Sequence, residues 1–587
     1  MRPELTTQSN QSNSSRRRAD FAVADERRKS GIVDDLSSLR RPSLFVKPDD
    51  VEVPQGSATV AEPILVGLRL RPVVYSEEGQ KQIVTIANGI ITVEPSGKKG
   101  KPLSFAIDYA MDSTDPSNPD FVDQEKVFEI FGRRMVEHAF EGFNSAVFAY
   151  GQTGTGKTTT IMGEVEPPSE RGLLLRMAEE IFRRADALRA TGSECLCCIQ
   201  MLEVYNEQVR DLLAPASRSE RKARPEIHAH PRLGVYVKDA TDATVESFRG
   251  MLKLIDYGNT MKTIAATGMN QHSSRAHTIV RLQLQTRVAS TEGPPTTRLC
   301  DMYIVDLAGR ENEKTTLVSG ERLIELSFIN KSLMWLAKCI QELSNTNNGS
   351  TGSQSMSGQA GAMAKFRNSK LTLLLSNALS GNSRTAMIGT ASPAANNHEE
   401  TVSTLNFAAT VKNIKLRATA SVYVNKDDLV KSLREEVQHL RDQLQGGSEP
   451  GGMVVKDLVA RLEEAEALAK RYAMTVEDMR HVSQEASAKR DQTMMLLGAV
   501  AANSAQLPYL AIVSEDPALA GKLVFHIPER SRHFSIGASL DCDACITGLG
   551  ITQVTCLLHN RGRDGLWLRA GENESGELAR VFLNDVS

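Results

Sequence analysis

Apolar residues between positions 60 and 417 follow two kinds of pattern. Strand-like runs rich in apolar residues occur at Ile64 to Pro72, Cys197 to Tyr205 and Thr278 to Val288. Gln124 to Phe140 and Leu173 to Leu188 instead repeat apolar residues at helical spacing. Strands that alternate with helices predict an α/β sandwich around a largely parallel sheet.

One further apolar run, Ala146 to Tyr150, leads directly into a glycine-rich loop that fills the template G-x-x-x-x-G-K-[ST]. Glycines let successive backbone N–H groups approach a phosphate, while Lys157 adds a positive charge and Thr158 a hydroxyl ligand for Mg²⁺. A glycine-rich surface turn is the less favoured alternative, because the match follows an apolar strand. We therefore predict that ATP or GTP binds at Gly151, Gln152, Thr153, Gly154, Thr155, Gly156, Lys157 and Thr158.

Two more segments have the character of nucleotide switches. Asn270 to His277 is a polar loop before a strand, and Met302 to Asn312 is an apolar strand that ends in Asp306 and then Gly309. An aspartate at such a strand end can hold the hydration shell of Mg²⁺, and a glycine backbone N–H can contact a γ-phosphate. Apolar strands ending in Asp are common in α/β proteins, so neither segment is decisive alone.

Taken together in chain order, these residues resemble the kinesin motor family. Its phosphate loop is similar to Gly151 to Thr158, its first switch to Asn270 to His277 and its second switch to Asp306 to Glu311. Further similar motifs are Arg69 to Pro72, Val204 to Glu207, Ile329 to Leu333, Phe366 to Thr372 and Glu400 to Lys415. The resemblance implies a P-loop NTPase motor domain with a central mixed sheet over residues 59–416. It further implies ATP hydrolysis coupled to plus-end-directed movement on microtubules, with a non-motile microtubule-binding regulator as the alternative.

The resemblance also assigns roles to single residues. Thr158 and Ser274 would bind Mg²⁺ directly, and Asp306 would bind it through water. Arg275 and Glu311 would form the ion pair that closes the site around ATP, which suits phosphoryl transfer by positioning and electrostatics; two solvated charges without contact are the alternative. The implied catalytic residues are Lys157, Ser273, Ser274, Arg275, Asp306, Gly309 and Glu311, and the implied adenine-side residues are Arg69, Arg71 and Pro72.

The implied microtubule-binding face centres on a helix over about Glu321 to Leu343, with Arg367 and Lys370 beside it. Basic side chains there would attract acidic tubulin, while a generic solvated face is the alternative. The insertion Asn345 to Ala364 contains no charged residue, and only Lys365 stands at its end. The third kinesin class commonly carries lysines in this loop, so we expect weaker electrostatic tethering here.

Composition restricts the class of protein. The 587 residues exceed one compact core, and 69 Lys and Arg against 72 Asp and Glu give no overall charge that favours nucleic acid. Eight cysteines, no N-terminal apolar h-region and no apolar run of about twenty residues predict a reduced, soluble protein without a transmembrane segment. We expect it in the cytoplasm, on the microtubule cytoskeleton.

Residues 1–58 are rich in Ser, Asn, Arg and Asp, and this composition predicts a disordered tail.

After the motor region, the pattern predicts a neck linker at 417–428, a neck coil at 429–445, a flexible linker at 446–453 and a coiled coil at 454–497. The neck resembles that of the third kinesin class. We favour pairing of the coiled segments in a homodimer; an amphipathic helix packed on its own motor is the alternative. No cargo can be read from the sequence.

Residues 507–587 change to short strands and glycine turns, and they resemble a small all-β forkhead-associated (FHA) sandwich that would be incomplete at its end. Ala538 and Thr555 replace the usual phosphopeptide-reading Arg and His, so we expect packing against flanking helices instead. Zinc-ligand spacing also occurs, although ordinary buried cysteines are the favoured interpretation. The residues concerned are Cys542, Cys545, Cys556 and His559.

Two residues depart from the family pattern at the switches, since serine is usual where this chain has Ala276 and Arg310. Arg310 places a second guanidinium beside Glu311, where it would compete for the carboxylate that Arg275 should engage. We predict that Arg310→Ser raises steady-state ATP turnover, with nucleotide affinity measured as the control. An unchanged or lower rate would exclude this competition.

Overall fold

The computed structural model describes residues 61–95, 100–214, 225–230, 234–267, 275–288, 296–309, 321–348, 364–380, 382–416, 418, 426–446, 452–496, 509–511, 524–527, 533–539, 542–545, 551–560 and 566–571. Almost all of them belong to one compact unit, Gln55–His228 with Gly234–Ser587. A second unit, Met1–Pro54 with Ala229–Leu233, contributes only Ala229 and His230 to the described residues. The predicted tail 1–58 therefore lies outside them. Within them, no helix is long and apolar enough to cross a membrane.

Strands between residues 61 and 416 alternate with helices. In chain order they are β1 (Glu62–Pro63), β2 (Leu65–Leu70), β3 (Val84–Ala87), β4 (Ile90–Val93), β5 (Leu103–Ala106), β6 (Tyr109–Asp112), β7 (Ser145–Tyr150), β8 (Glu194–Tyr205), β9 (Gln208–Asp211), β10 (Glu226–His230), β11 (Gly234–Lys238), β12 (Ala243–Val245), β13 (His277–Val288), β14 (Thr296–Asp306), β15 (Arg384–Ala391) and β16 (Lys415–Leu416). The helices are α1 (Gln124–Val127), continued through a π-helical turn at Phe128–Gly132 into α2 (Arg133–Phe140), then α3 (Lys157–Ile161), α4 (Leu173–Ala190), α5 (Phe248–Thr267), α6 (Glu321–Asn348), α7 (Lys370–Leu374), α8 (Ser376–Ser380) and α9 (His398–Lys412).

The main sheet has the order β12-β8-β13-β14-β7-β15-β2-β6 among the described strands, and β9 pairs with β8. From β14 to β6 the neighbours are parallel, whereas β12, β8, β13 and β14 pair antiparallel. The sheet is thus mixed, as the family resemblance implied, and not largely parallel. Only seven residues separate β13 from β14, too few for the crossover that parallel pairing requires.

Helices cover both faces of this sheet, so every residue of β7 is buried. Phe148 and Tyr150 join a hydrophobic cluster with residues of α6, α7 and α9, whereas Val147 and Ala149 join a second cluster with residues of α2, α4 and α5. Alternate side chains of a strand point to opposite faces, which explains this division. The predicted α/β class is confirmed, and its buried central strand leads to the glycine-rich loop.

Three helices follow the sheet domain: α10 (Lys426–Gly446), α11 (Gly452–Ala473) and α12 (Val476–Leu496). The continuous helix predicted over 454–497 is wrong, because the helix breaks after Ala473. Thr475 and Asp478 explain the break: each side chain accepts a hydrogen bond from the backbone N–H of the other residue, at 3.1 and 3.0 Å. Such a capping pair begins a new helix.

The apolar seam of α11 faces α10 of the same chain. Ala465 packs with Val437 and Leu440 in a small buried cluster, and Leu458 and Leu462 lie against it. An ion pair of 2.7 Å between Arg441 and Glu466 borders this contact. The structure therefore shows intramolecular packing of the seam, and pairing with a second chain stays a prediction.

Another face of α11 lies on the main sheet domain. Glu464 Oε1 is 2.7 Å from Nδ1 of His228 and accepts a hydrogen bond from the Tyr236 hydroxyl, while Arg471 forms an ion pair with Asp242. Polar groups of α12 continue this contact: Arg480 pairs with Glu246, and Ser483 donates to the Thr244 carbonyl. These contacts correspond to the alternative of an amphipathic helix packed on the sheet domain of its own chain.

The described part of residues 507–587 is all β. It contains a two-stranded sheet of β17 (Tyr509–Ala511) and β18 (Val524–His526), and a sheet of order β20-β19-β21-β22. The latter strands are β19 (Phe534–Gly537), β20 (Ala544–Cys545), β21 (Cys556–Asn560) and β22 (Leu566–Ala570). The described residues contain no group of three or more His, Cys, Asp or Glu side chains suited to a metal ion. Cys542 and Cys556 are buried in this module, as ordinary packing cysteines are.

We predict that Glu464→Ala loosens α11, because it removes the acceptor shared by His228 and Tyr236. Amide hydrogen exchange of residues 452–473 should accelerate about five- to tenfold, the effect of losing one or two partly buried hydrogen bonds. Glu463→Ala is the matched control, since Glu463 is exposed on the same helix. Equal exchange in both variants would contradict a stabilising role for the Glu464 contacts.

Candidate functional site

The glycine-rich loop begins where β7 ends. A Cβ at Gly151 would lie 2.3 Å from the carbonyl oxygen of Thr390, so only glycine fits there. Gly156 has a φ of 94° immediately before α3, in the left-handed region that favours glycine. Lys157 Nζ donates to the carbonyl oxygens of Gly151 and Gln152, at 3.0 and 2.8 Å. The loop thus holds the lysine ammonium against its own backbone, and this positive charge lies where a bound phosphate would attract it.

Thr158 and Asp306 meet beside this loop. The Thr158 hydroxyl donates to Asp306 Oδ2 at 2.6 Å, and Asp306 Oδ1 is buried without a hydrogen-bond partner. β7 and β14 are parallel neighbours, so their carboxyl ends place these two residues together. A hydroxyl and an unpartnered carboxylate oxygen are ligands that suit Mg²⁺. The donor chemistry therefore fits this ion.

Gly309 lies against the tip of the loop. A Cβ at this position would be 1.8 Å from Thr153 Oγ1, which is itself buried without a hydrogen-bond partner. The segment after Asp306 and the phosphate loop are thus in direct contact. Any larger residue at position 309 would separate them.

The two arginines of the first motif support the loop from outside. Arg69 is surrounded by protein oxygens, and its guanidinium donates to Ser113, Gln124 and Thr160. Burial lowers the pKa of Arg69 to about 10, so it stays charged at neutral pH. These contacts place it under α3, and its predicted adenine contact stays a prediction.

Arg71 reaches the loop itself. It donates to the Gly154 carbonyl at 2.7 Å and forms a two-pronged ion pair with Glu77, with both distances 2.6 Å. Pro72, next to it, is exposed at the rim. Arg71 therefore connects a buried carboxylate to the glycine-rich loop, a role that the sequence did not reveal.

His277 is a further residue of this region, and the sequence gave it no role beyond membership of the polar motif. Its side chain is 3% exposed and contacts both Ala308 and Ser332. Burial, followed by the charges of Lys157 and Lys262, lowers its pKa to about 3, so the imidazole is neutral. The sequence feature that could have indicated this role is a histidine at the first position of an apolar strand.

Several predicted site residues lie outside the described part of the chain: Ser273, Ser274, Arg310 and Glu311. Arg275 is half-buried just before β13, and Ala276 is buried. The predicted Arg275 to Glu311 ion pair and the role of Ser274 stay predictions.

Basic side chains lie on the outer face of α6 and beside α7. Lys331, Met334 and Lys338 are exposed along one side of α6, and Arg367 and Lys370 are exposed near the start of α7. Helices α6 and α7 contact each other, so these groups share one region.

Two acidic residues fix this region. Glu207 accepts hydrogen bonds from the Ser369 hydroxyl and the Lys370 backbone N–H, both at 2.7 Å, which holds the start of α7. Lys365, at the end of the neutral insertion, forms an ion pair with Glu342.

We predict that Glu77→Gln destabilises the fold at neutral pH by about 2–4 kcal/mol, since it breaks a buried ion pair. Burial raises the pKa of Glu77, but hydrogen bonds from Arg71 and Ser392 outweigh it and hold the pKa at about 2, against an ordinary 4.5. The stabilisation is therefore complete above pH 4.5 and disappears as the pH falls towards 2. Urea unfolding at a series of pH values measures the difference, with exposed Glu78→Gln as control. A difference that persists at pH 2 would contradict the ion-pair explanation.

Comparison with known proteins agrees with this geometry. A family model described as the kinesin motor domain matches residues 69–414. The mouse kinesin-like protein KIF13A is 35% identical over 530 residues, which cover 87% of this chain and 29% of that protein. The Caenorhabditis elegans kinesin-like protein unc-104 is 32% identical over 527 residues, which cover 84% and 32%. This chain therefore spans about a third of the length of these curated relatives.

Solved structures match the same region. A chain from a KIF14 dimer with AMP-PNP, in complex with a microtubule, has a TM-score of 0.56 and 35% identity, covering 64% of this chain and 100% of that one. The structure of a fast kinesin has a TM-score of 0.53 and 33% identity, covering 62% and 95%. The family match, the ordered motifs and the mixed sheet coincide over one region, so the chain belongs to the kinesin motor family and resembles its third class.

Proposed function

We propose that this chain hydrolyses ATP with Mg²⁺ and uses the hydrolysis to move along microtubules. The observation that carries the proposal is the Thr158 to Asp306 hydrogen bond, with Asp306 Oδ1 buried and unpartnered at the mouth of the phosphate loop. Membership of a motor family adds support. The chain spans only part of its relatives' length, and the proposal concerns this chain.

The residues divide the work of phosphoryl transfer. The loop N–H groups and Lys157 would hold the phosphates, and Thr158 with Asp306 would hold Mg²⁺, with Ser274 as a further ligand. Mg²⁺, when bound, neutralises charge that develops on the phosphate oxygens. Gly309 lies against Thr153 of the loop, and its backbone N–H would contact the γ-phosphate. Arg275 and Glu311 would close the site, and Ser273 would lie near the attacking water.

The track-binding face in this proposal is the outer side of α6 with Arg367 and Lys370. Their exposed positive charges suit an acidic filament, and such attraction is screened by salt over about 8–10 Å at physiological ionic strength. Lys365 is already paired with Glu342, which supports the expectation of weak tethering by the neutral insertion. Binding should therefore depend on few cations.

The lever in this proposal begins where the motor domain ends. β16 pairs antiparallel with β1, and the Ile64 N–H donates to the Ile414 carbonyl at 3.0 Å. The predicted neck linker, 417–428, starts at the next residue, although most of it lies outside the described residues. A change at α6 would move this exit point and the helix α10 beyond it, a two-state switch with a lever. Plus-end direction is the family-based expectation.

A non-motile microtubule-binding regulator with slowed hydrolysis is the second candidate. The observation that favours it is Ala276, which is 6% exposed and has no hydroxyl where the family usually has serine. Arg310 would also slow hydrolysis, because it would compete with Arg275 for the Glu311 carboxylate. Filament gliding distinguishes the two candidates, because a regulator binds microtubules without moving them.

We predict that microtubules stimulate the steady-state ATPase of the 587-residue chain and that Lys157→Ala abolishes the activity. The paired variant Arg367→Ala with Lys370→Ala should raise the half-saturating microtubule concentration about three- to tenfold at low salt, because two exposed cations each contribute about 0.2–1 kcal/mol. Its rate without microtubules is the control and should not change. Microtubule binding with a flat ATPase rate would favour the regulator, and absence of binding would refute both candidates.

A further inference from the structure

Three buried residues from three segments meet behind the nucleotide site. His277 is the first residue of β13, Ala308 follows the end of β14, and Ser332 lies on α6. Their exposed fractions are 3%, 2% and 4%, so water is excluded from the contact. The Ala308 nitrogen is 2.9 Å from His277 Nδ1, and His277 Nε2 is 2.9 Å from Ser332 Oγ.

The direction of both hydrogen bonds follows from chemistry. A backbone N–H can only donate, so Nδ1 of His277 must be the unprotonated acceptor for Ala308. A neutral imidazole carries its proton on the other nitrogen, and Nε2 therefore donates to the Ser332 hydroxyl. The low pKa of His277 agrees with this neutral form. A rigid ring thus joins the backbone at Ala308 to α6.

Each end of this connection lies next to a functional group. Ala308 immediately precedes Gly309, which contacts the phosphate loop, and it lies two residues after Asp306. Ser332 immediately follows Lys331, an exposed cation on the outer face of α6. One planar side chain therefore spans the distance between the Ala308 backbone and Ser332 of α6. A flexible side chain in the same place could change its rotamer when the Ala308 backbone moves, and α6 would then not follow.

We propose that His277 is a positioning residue that couples the nucleotide site to α6 through its bonds to Ala308 and Ser332. When the segment at Gly309 moves with the γ-phosphate, the imidazole transmits this movement to Ser332 and so to the filament-facing side of α6. The role rests on the proposed function, since it concerns how nucleotide state changes affinity for a microtubule. His277 is buried, so its effect on the filament would be indirect, through Ser332 and α6.

The test measures coupling rather than activity alone. Microtubule affinity of the full chain is determined with AMP-PNP and with ADP, and the ratio of the two is the coupling factor. Ser332→Ala removes the acceptor on α6 and should reduce this ratio about fivefold or more, the lower end of typical allosteric coupling. The basal ATPase without microtubules should stay within about twofold, since Ser332 lies outside the nucleotide site. Ser344→Ala, a buried serine farther along α6, is the matched control and should keep the wild-type ratio.

A second variant distinguishes loss of the coupling from a general loss of protein stability. His277→Gln retains a donor in the place of Nε2 but loses the acceptor for Ala308, so it should also lower the ratio. Because both variants interrupt one connection, the double variant should be no worse than the more severe single variant. Multiplicative effects in the double variant would overturn the proposal, as would a wild-type ratio in Ser332→Ala.

Hydrogen exchange distinguishes failure of this inference from failure of the proposed function. In the wild-type chain without microtubules, replacing ADP with AMP-PNP should change exchange of α6 amides, and Ser332→Ala should abolish that response. If the wild-type chain shows this response but does not bind microtubules, the proposed function fails and the coupling stands. If it binds microtubules in a nucleotide-dependent manner and Ser332→Ala leaves the α6 response intact, the coupling fails alone.

Discussion

The parallel pairing of β7 with β14 is the constraint on which the site depends. Register places Asp306 opposite Ala149, one residue before the end of β7, so the aspartate and the phosphate loop emerge at the same edge of the sheet. Thr158 then reaches the Asp306 carboxylate from the first turn of α3. Because helices bury both strands, the edge cannot shift without disturbing both hydrophobic clusters. Stability of the core therefore fixes the geometry of the polar site.

Polar side chains connect this edge of the sheet to the neighbouring segments. His277 joins Ala308 to α6, and Arg71 joins Glu77 to the phosphate loop. The His277 bonds lie in a dry interior and the Arg71 to Glu77 ion pair is largely buried, so breaking either leaves a donor or acceptor without a partner at high cost. They are thus suited to hold two segments at a fixed distance while a loop moves.

The phosphate loop and the Asp306 strand could be predicted because each motif is local in sequence and has one physical use. Arg69 could not be placed in the same way, since its partners Ser113, Gln124 and Thr160 lie far apart along the chain. The mixed sheet followed from the family resemblance, whereas the alternation of elements alone predicted too many parallel strands. The break at Thr475 had a local signal, but the apolar seam continues in register across it and concealed it.

In the helices after the motor domain, the apolar seam of α11 can pack either on α10 of the same chain or on a second chain, and the two arrangements compete. In this chain Ala465 and its neighbours pack on α10, while Glu464 and Arg471 on another face contact the sheet domain. A dimer through the same seam would have to replace the α10 contact and also meet the entropic cost of association. The part of the seam that packs on α10 runs only from Leu458 to Ala465, so the apolar area available there is modest. At low concentration the intramolecular arrangement is therefore favoured, and pairing requires a concentration high enough to outweigh a partner that is always tethered nearby.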